Sequence, residues 1–237
     1  MKKIILISLI GVSLFSCSQK QTKVNPSTQE IKKVMTKKDI NTNLPTIGVL
    51  IFDGVIMNEV LAPLDVFSNT DKDNKTRFNV ITIAEEDKLY KSAHGLKVQA
   101  DYLIDDVPNL NVLVVPSSYT PSDQTSNKTL VDFVKTQNKT TDYMASHCAG
   151  AFLIGESGIA DNKDIVTYVT GGEALKTEYP NLNVANDDEV SVMKDGKFFS
   201  SNGSLVSYLG SFDLLEEMTS LEHRKHVESA ILFDRLK

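Results

Sequence analysis

The sequence predicts an α/β fold built on a mostly parallel sheet. From residue 46 onward, short apolar runs alternate with segments whose apolar residues recur at helical spacing. Residues 47–52 (IGVLIF) are apolar or glycine throughout, which is typical of a strand buried on both faces. A hydrophobic content of 41% and a charged content of 24% are ordinary for globular chains, so a disordered or fibrous protein is excluded.

The predicted elements follow one another along the chain. The first strand at 47–52 precedes a helix whose apolar face is Val60, Leu64 and Phe67. Strands at 78–84 and 111–116 come next, separated by a short β excursion around 95–101. The remaining elements are a helix marked by Leu130, Phe133 and Val134, a strand at 141–147 that runs straight into a helix, a hairpin of 190–193 with 198–200 around Asp195 and Gly196, and a helix from Leu205 to Leu215.

The amino terminus resembles a bacterial lipoprotein signal. Lys2 and Lys3 precede an apolar run at 4–15, which is shorter than the roughly 20 residues needed to span a bilayer. The run ends in residues 14–17 (LFSC), a good match to a lipoprotein box apart from the bulky Phe15. We therefore predict a signal peptide at 1–16, a lipidated Cys17, a flexible Lys-rich tether at 17–45 and a folded domain at 46–237. An ordinary secretory signal with a chance cysteine is the alternative.

These features predict a protein of the bacterial cell envelope, lipid-anchored and facing outside the cytoplasm. The chain has a formal net charge of −6. Residues 1–16 contribute +2 and residues 18–45 contribute +4, so residues 46–237 carry −12. A domain this acidic repels phosphate backbones, which excludes nucleic acid as a partner, while the basic tether favours an anionic membrane surface.

Cys148 is the strongest candidate for chemistry. It lies where an apolar strand turns into a helix rich in alanine and glycine, with no room for a loop, as in a nucleophile elbow. A helix amino terminus beside the sulfur is expected to lower the thiol pKa below its free value of about 8.5. The alternative is a buried, inert cysteine. Spacing alone does not separate these two interpretations.

The segments at 146–151 (SHCAGA) and 59–67 (EVLAPLDVF) resemble the ThiJ/PfpI family of the class I glutamine amidotransferase-like superfamily, and within it the isonitrile-hydratase-like proteins. The resemblance extends over 46–237. It implies a flavodoxin-like three-layer α/β sandwich, a nucleophilic Cys148 at the elbow and a carboxylate, here Glu59, that contacts the thiol. Family members are commonly dimers, so the resemblance also implies a homodimer.

The chain departs from the family pattern at two places. Many relatives carry histidine where this chain has Tyr168, so Tyr168 becomes a candidate catalytic residue in its stead. Pro116, Ser117 and Ser118 stand where the family often has Pro-Gly-Gly. We therefore assign a predicted oxyanion site to the backbone N–H groups of Ser118 and Ala149, with a plain turn as the alternative.

His147 precedes the cysteine on its strand, so its side chain points to the opposite face, where we expect a satisfied polar residue beneath the elbow. No Cys or His spacing indicates zinc, and residues 222–226 are interpreted as a solvated helix face, so no metal and no cofactor are predicted.

The predicted function is that of a cysteine-nucleophile hydratase or hydrolase. Its partner is a small molecule of the isonitrile, reactive carbonyl or amide class. A catalytically degenerate ligand-binding or stress-protective protein of the same fold is the alternative. A protease is disfavoured because no base is evident.

Overall fold

The computed structural model describes residues 37–236, which form a central sheet with helices on both faces. Eleven strands occur within these residues: β1 (Thr46–Leu50), β2 (Asn79–Ala84), β3 (Tyr90–Lys91), β4 (Lys97–Val98), β5 (Tyr102–Leu103), β6 (Val112–Val115), β7 (Tyr143–His147), β8 (Asp164–Ile165), β9 (Asn183–Val184), β10 (Val192–Asp195) and β11 (Phe198–Ser201). The same residues contain seven α-helices: α1 (Met57–Ser68), α2 (Pro121–Thr125), α3 (Lys128–Gln137), α4 (Gly150–Ser157), α5 (Gly172–Glu178), α6 (Val206–Met218) and α7 (Leu221–Ala230), followed by a 3₁₀ turn at Phe233–Leu236.

The main sheet has seven strands in the order β10-β11-β7-β6-β1-β2-β5. Every neighbouring pair is parallel except β10 with β11, which form the predicted hairpin. The central strands β1 and β6 are buried at every position, as their continuous apolar sequences predict.

Helices α1, α6 and α7 pack together on one face of the sheet, and α2, α3 and α4 pack together on the other. The predicted three-layer α/β sandwich is therefore confirmed. Because β1, β6, β7 and β11 are parallel neighbours, the loops after their carboxyl ends meet at one edge of the sheet. That edge holds the candidate site.

The end of the predicted tether contacts the sheet. Lys38 Nζ donates to the carbonyl of Val80 at 2.8 Å, and the Tyr102 hydroxyl donates to the Lys38 carbonyl at 2.5 Å. Packing thus begins before Thr46, and the pattern missed it because bonds to backbone groups leave no apolar periodicity. Residues 1–36, with the predicted signal and Cys17, lie outside the described residues. Within residues 37–236, no helix has the length and apolar character needed to cross a membrane.

Sequence patterns did not predict the short elements α2, β8 and β9, and they gave no bounds for the helix at 222–226, which is α7. The segment at 222–226 was expected to be a solvated face, but this holds only in part. Glu222 is exposed, whereas His223 is buried.

Candidate active site

Cys148 lies at the sharp turn between the end of β7 and the start of α4. Its φ of 54° is in the left-handed region, which residues other than glycine seldom adopt. The Cys148 N–H donates to the Ser201 carbonyl at 2.8 Å, and the Thr167 hydroxyl donates to the Cys148 carbonyl at 2.9 Å. The nucleophile-elbow geometry predicted from sequence is confirmed, and hydrogen bonds hold it on both sides.

The small residues after the cysteine have the packing role that the sequence predicts. A β-carbon built on Gly150 would lie 2.2 Å from the Val115 carbonyl oxygen, far inside van der Waals contact. The first turn of α4 can therefore rest directly against the end of β6 only because residue 150 is glycine.

Glu59, in the first turn of α1, is the buried acid of the site. Its side chain has no solvent exposure. Its Oε2 accepts the backbone N–H of Ser117 at 2.7 Å, and its Oε1 accepts that of Ser204 at 3.3 Å. The carboxylate lies beside Cys148, as the family resemblance implies, because a β-carbon built on Gly203 would lie 2.3 Å from the Cys148 β-carbon and 2.6 Å from Glu59 Oε1.

The thiol and the carboxyl group shift each other's titration. Burial raises the pKa of Glu59 above its ordinary value, although hydrogen bonds from Ser117 and Ser204 oppose the shift. Burial, reinforced by the Glu59 charge, raises the pKa of Cys148 to about 11. The expectation of a lowered thiol pKa was wrong, because burial and a neighbouring negative charge outweigh the helix amino terminus. The two groups titrate as a pair that prefers to hold one proton between them.

The loop after β11 completes the site, and the sequence analysis did not identify it. Gly203 has a φ of 89°, and a β-carbon built on it would lie 2.3 Å from the Cys148 β-carbon and 2.6 Å from Glu59 Oε1. Asn202 donates from Nδ2 to the Thr167 carbonyl at 2.7 Å, which ties this loop to the segment that holds the elbow. An Asn-Gly pair directly after a strand parallel to β7 was the available signal.

His147 lies beneath the elbow as predicted, but among the described residues only one of its two ring nitrogens is hydrogen-bonded, so the expectation of a satisfied residue was wrong for the other. Its Nδ1 is hydrogen-bonded to the Ser201 hydroxyl at 2.8 Å, while Nε2 has no hydrogen-bond partner within residues 37–236. Burial lowers the pKa of His147 to about 3, so the imidazole is neutral at physiological pH. It supports the turn through Ser201 and does not face the thiol.

Tyr168 is the predicted substitute for the family histidine. Among the described residues it makes no hydrogen bond or ring contact with Cys148. Its ring stacks on Phe152 with centroids 6.3 Å apart and lies over Gly171. Its hydroxyl makes no hydrogen bond within the part of the chain that the structure describes. The neighbouring Thr167 is the residue that contacts the elbow, so a catalytic role for Tyr168 stays a prediction.

Two backbone groups remain candidates for an oxyanion site. The Ala149 N–H contacts the Cys148 sulfur, where it acts to lower the thiol pKa. The Ser118 N–H makes no hydrogen bond among the described residues, whereas the Ser118 hydroxyl donates to Gln124 Oε1 at 2.5 Å. Residues 37–236 contain no group of three or more His, Cys, Asp or Glu side chains arranged to hold a metal ion.

The fold and the site define a class of protein: a three-layer α/β sandwich with a cysteine at a strained strand–helix turn and a buried carboxyl group against its sulfur. A sequence profile of the DJ-1/PfpI family matches residues 45–216. The chain belongs to the DJ-1/PfpI family.

Two characterised relatives are similar over much of the chain. An isonitrile hydratase from Pseudomonas putida is 22% identical over 182 residues, which are 77% of this chain and 75% of that protein. Protein dj-1beta of Drosophila melanogaster is 25% identical over 123 residues, 52% of this chain and 63% of that protein.

Solved structures show the same fold. A THiJ/PfpI family protein from Pseudomonas syringae superposes with a TM-score of 0.71 at 16% identity, covering 90% of this chain and 84% of that one. Drosophila melanogaster DJ-1beta superposes with a TM-score of 0.68 at 18% identity, covering 80% of this chain and 98% of that one.

Proposed function

We propose that this protein is a cysteine-dependent hydratase or hydrolase of a small molecule with an electrophilic carbon, and that isonitriles are its foremost substrate class. The observation that carries the proposal is the close approach of Cys148, at the strained turn, to the fully buried carboxylate of Glu59. The similarity to an isonitrile hydratase over three quarters of both chains supports the choice of substrate class.

The chemistry of isonitrile hydration needs a nucleophile and one mobile proton. The Cys148 sulfur adds to the terminal carbon, forming a C–S bond, as its proton passes to Glu59 and from there to that carbon. Water then adds to the resulting thioimidate carbon, and one of its protons passes to the nitrogen. The C–S bond breaks as the carbonyl forms, and the second water proton passes to the leaving sulfur, which regenerates the thiol. The net reaction joins one water to one isonitrile and releases an N-substituted formamide.

The raised pKa values suit this sequence of steps. A carboxyl group whose pKa lies above its ordinary value takes up and returns a proton near neutral pH more readily than an exposed glutamate. A thiol with a pKa of about 11 stays protonated until substrate is present. The free N–H of Ser118 and that of Ala149 supply donors for a reactive carbonyl or amide oxygen.

Two observations favour the second candidate, a ligand-binding or stress-protective protein without turnover. The raised thiol pKa weakens the nucleophile at neutral pH, and Tyr168 makes no contact with the thiol to compensate.

The deciding experiment measures formamide production from n-butyl isonitrile by the wild-type protein and by Cys148→Ser. Turnover that Cys148→Ser abolishes supports the enzyme. Binding without turnover in both proteins favours the second candidate, and equal turnover in both refutes the nucleophile. A reactive carbonyl and a simple amide are tested in parallel to define the substrate class.

We also propose that the domain is anchored to the bacterial cell envelope through a lipid on Cys17 and that it forms a homodimer. Lys2, Lys3, the apolar run at 4–15 and the position of Cys17 support the anchor. Intact-mass measurement of protein from membranes should find the acyl groups, and Cys17→Ser should release a soluble form. An unmodified Cys17 or a different mature amino terminus would refute the anchor. Sedimentation of the soluble form tests the dimer.

A further inference from the structure

Ser117 lies directly between the strand edge and the thiol–carboxyl pair. It follows β6 and is 2% exposed. Its N–H donates to Glu59 Oε2 at 2.7 Å, and its carbonyl accepts the N–H of Ile56 at 2.9 Å. The N–H and the carbonyl of Ser117 are therefore both hydrogen-bonded, and these two bonds hold the backbone that carries its side chain.

The Ser117 hydroxyl is buried and makes no hydrogen bond of good geometry within residues 37–236. Its neighbour Ser118 is different, because the Ser118 hydroxyl donates to Gln124 and accepts the N–H of Thr120. Buried hydroxyls without partners are uncommon, and each one needs a physical reason.

The surroundings of Ser117 supply that reason. Its backbone N–H already contacts Glu59, and its side chain acts to lower the pKa of Cys148 and that of Glu59, as a hydrogen-bond donor to a negative charge does. A hydroxyl rotates freely about its C–O bond, so it can turn toward whichever atom carries the charge. The Ser117 hydroxyl therefore gains a strong hydrogen-bond acceptor only when the thiol ionises and its sulfur becomes negatively charged.

We propose that Ser117 is a catalytic residue whose hydroxyl donates a hydrogen bond to the Cys148 sulfur while the thiol proton is on Glu59. Ser117 keeps its own proton throughout, so the step moves one proton from sulfur to carboxylate and changes no other bond. The hydrogen bond itself does not depend on the proposed function, but its role in catalysis rests on that function. A glycine, which relatives often have in this loop, has no such donor.

The test is the rate of iodoacetamide alkylation of Cys148 between pH 7 and pH 11, followed by mass spectrometry of the Cys148 peptide from the full chain. Ser117→Ala should raise the apparent thiol pKa and slow alkylation at pH 8 by about tenfold, the usual effect of losing one hydrogen bond to a charged group. Ser117→Thr keeps the hydroxyl and should retain most of the rate.

Ser211→Ala is the matched control, because Ser211 on α6 is also a buried serine whose hydroxyl has no partner among the described residues. It should leave the rate unchanged. A rate for Ser117→Ala equal to that of the wild type, or an equal loss in Ser211→Ala, would overturn the proposal. If Ser117→Ala does not fold, Ser117→Gly makes the same comparison.

Turnover of n-butyl isonitrile is measured on the same variants, so that two failures can be told apart. If Ser117→Ala shifts the thiol pKa but no protein, including the wild type, turns over the isonitrile, the hydrogen bond is supported and the enzymatic function is refuted. Turnover that persists undiminished in Ser117→Ala, with no shift in thiol pKa, would retain the enzyme and reject Ser117.

Discussion

Gly203 lies against Cys148 so closely that a β-carbon on Gly203 would come within 2.3 Å of the Cys148 β-carbon. The same added carbon would lie 2.6 Å from Glu59 Oε1. Any larger residue at 203 must displace the nucleophile, the acid or the loop that carries it. Gly203 therefore sets the spacing of the thiol–carboxyl pair although it contributes no side chain.

Gly203→Ala should destabilise the protein by about 1–3 kcal/mol and lower Cys148-dependent turnover at least tenfold, because the new methyl group clashes and the backbone is strained. Urea unfolding and the isonitrile assay measure the two effects. Gly95→Ala is the control: φ is 88° there too, but a β-carbon would meet nothing within 4 Å. Equal losses in the two variants would attribute the effect to φ alone.

Glu59→Gln should change the two properties of Cys148 in opposite directions. The thiol pKa should fall below about 11, because the glutamine removes a negative charge that raises it. Turnover should nevertheless fall by roughly 100-fold or more, because an amide cannot pass on the thiol proton. Alkylation rates and the isonitrile assay report these separately. Glu222→Gln, which removes an exposed charge, is the control and should change neither the thiol pKa nor turnover. Unchanged turnover in Glu59→Gln would contradict the acid–base role.

The buried His147 predicts a loss of stability in acid. Its pKa is lowered to about 3 in the fold, so below pH 6.5 the unfolded chain binds a proton that the folded chain does not. Stability should therefore decline as pH falls from 6.5 toward 3, by about 2–3 kcal/mol at pH 4.5 from this residue. Urea unfolding of the wild type and of His147→Gln at pH 7.5 and pH 4.5 measures the difference. Parallel losses in both proteins would contradict it.

Thr167 and Tyr168 should differ sharply although they are adjacent. Thr167→Val removes the donor to the Cys148 carbonyl and should destabilise the protein by about 1–3 kcal/mol. Tyr168→Phe should leave the thiol pKa unchanged, because its hydroxyl contacts neither Cys148 nor Glu59. Thermal unfolding and Cys148 alkylation are the measurements. A shifted thiol pKa in Tyr168→Phe would restore the tyrosine to the site.

Several features of the site were predictable because short segments of sequence encode them. The apolar strand that runs into a helix rich in alanine and glycine, with no room for a loop, predicts the turn at Cys148. The position of Glu59 followed from the family resemblance. The two residues lie against each other in the structure although they are far apart in sequence.

The remaining features depend on distances between segments that no local pattern encodes. The sign of the thiol pKa shift is the clearest example. A helix amino terminus is a local feature and predicts a lower value, whereas the opposing burial and Glu59 charge exist only after folding. The close approach of Gly203 and the unpartnered hydroxyl of Ser117 likewise arise from the packing of β6, β7 and β11 side by side.

The strand order has a consequence for how this protein loses its structure. Glu59, Ser117, Cys148 and Gly203 come from four widely separated segments, so partial unfolding at any of them opens the site to water. Exposure would lower the thiol pKa from about 11 toward the free value of about 8.5 and make the sulfur more reactive. Cys148 is thus protected by the intact native state, and its labelling rate serves as a sensor of local damage anywhere around that edge of the sheet.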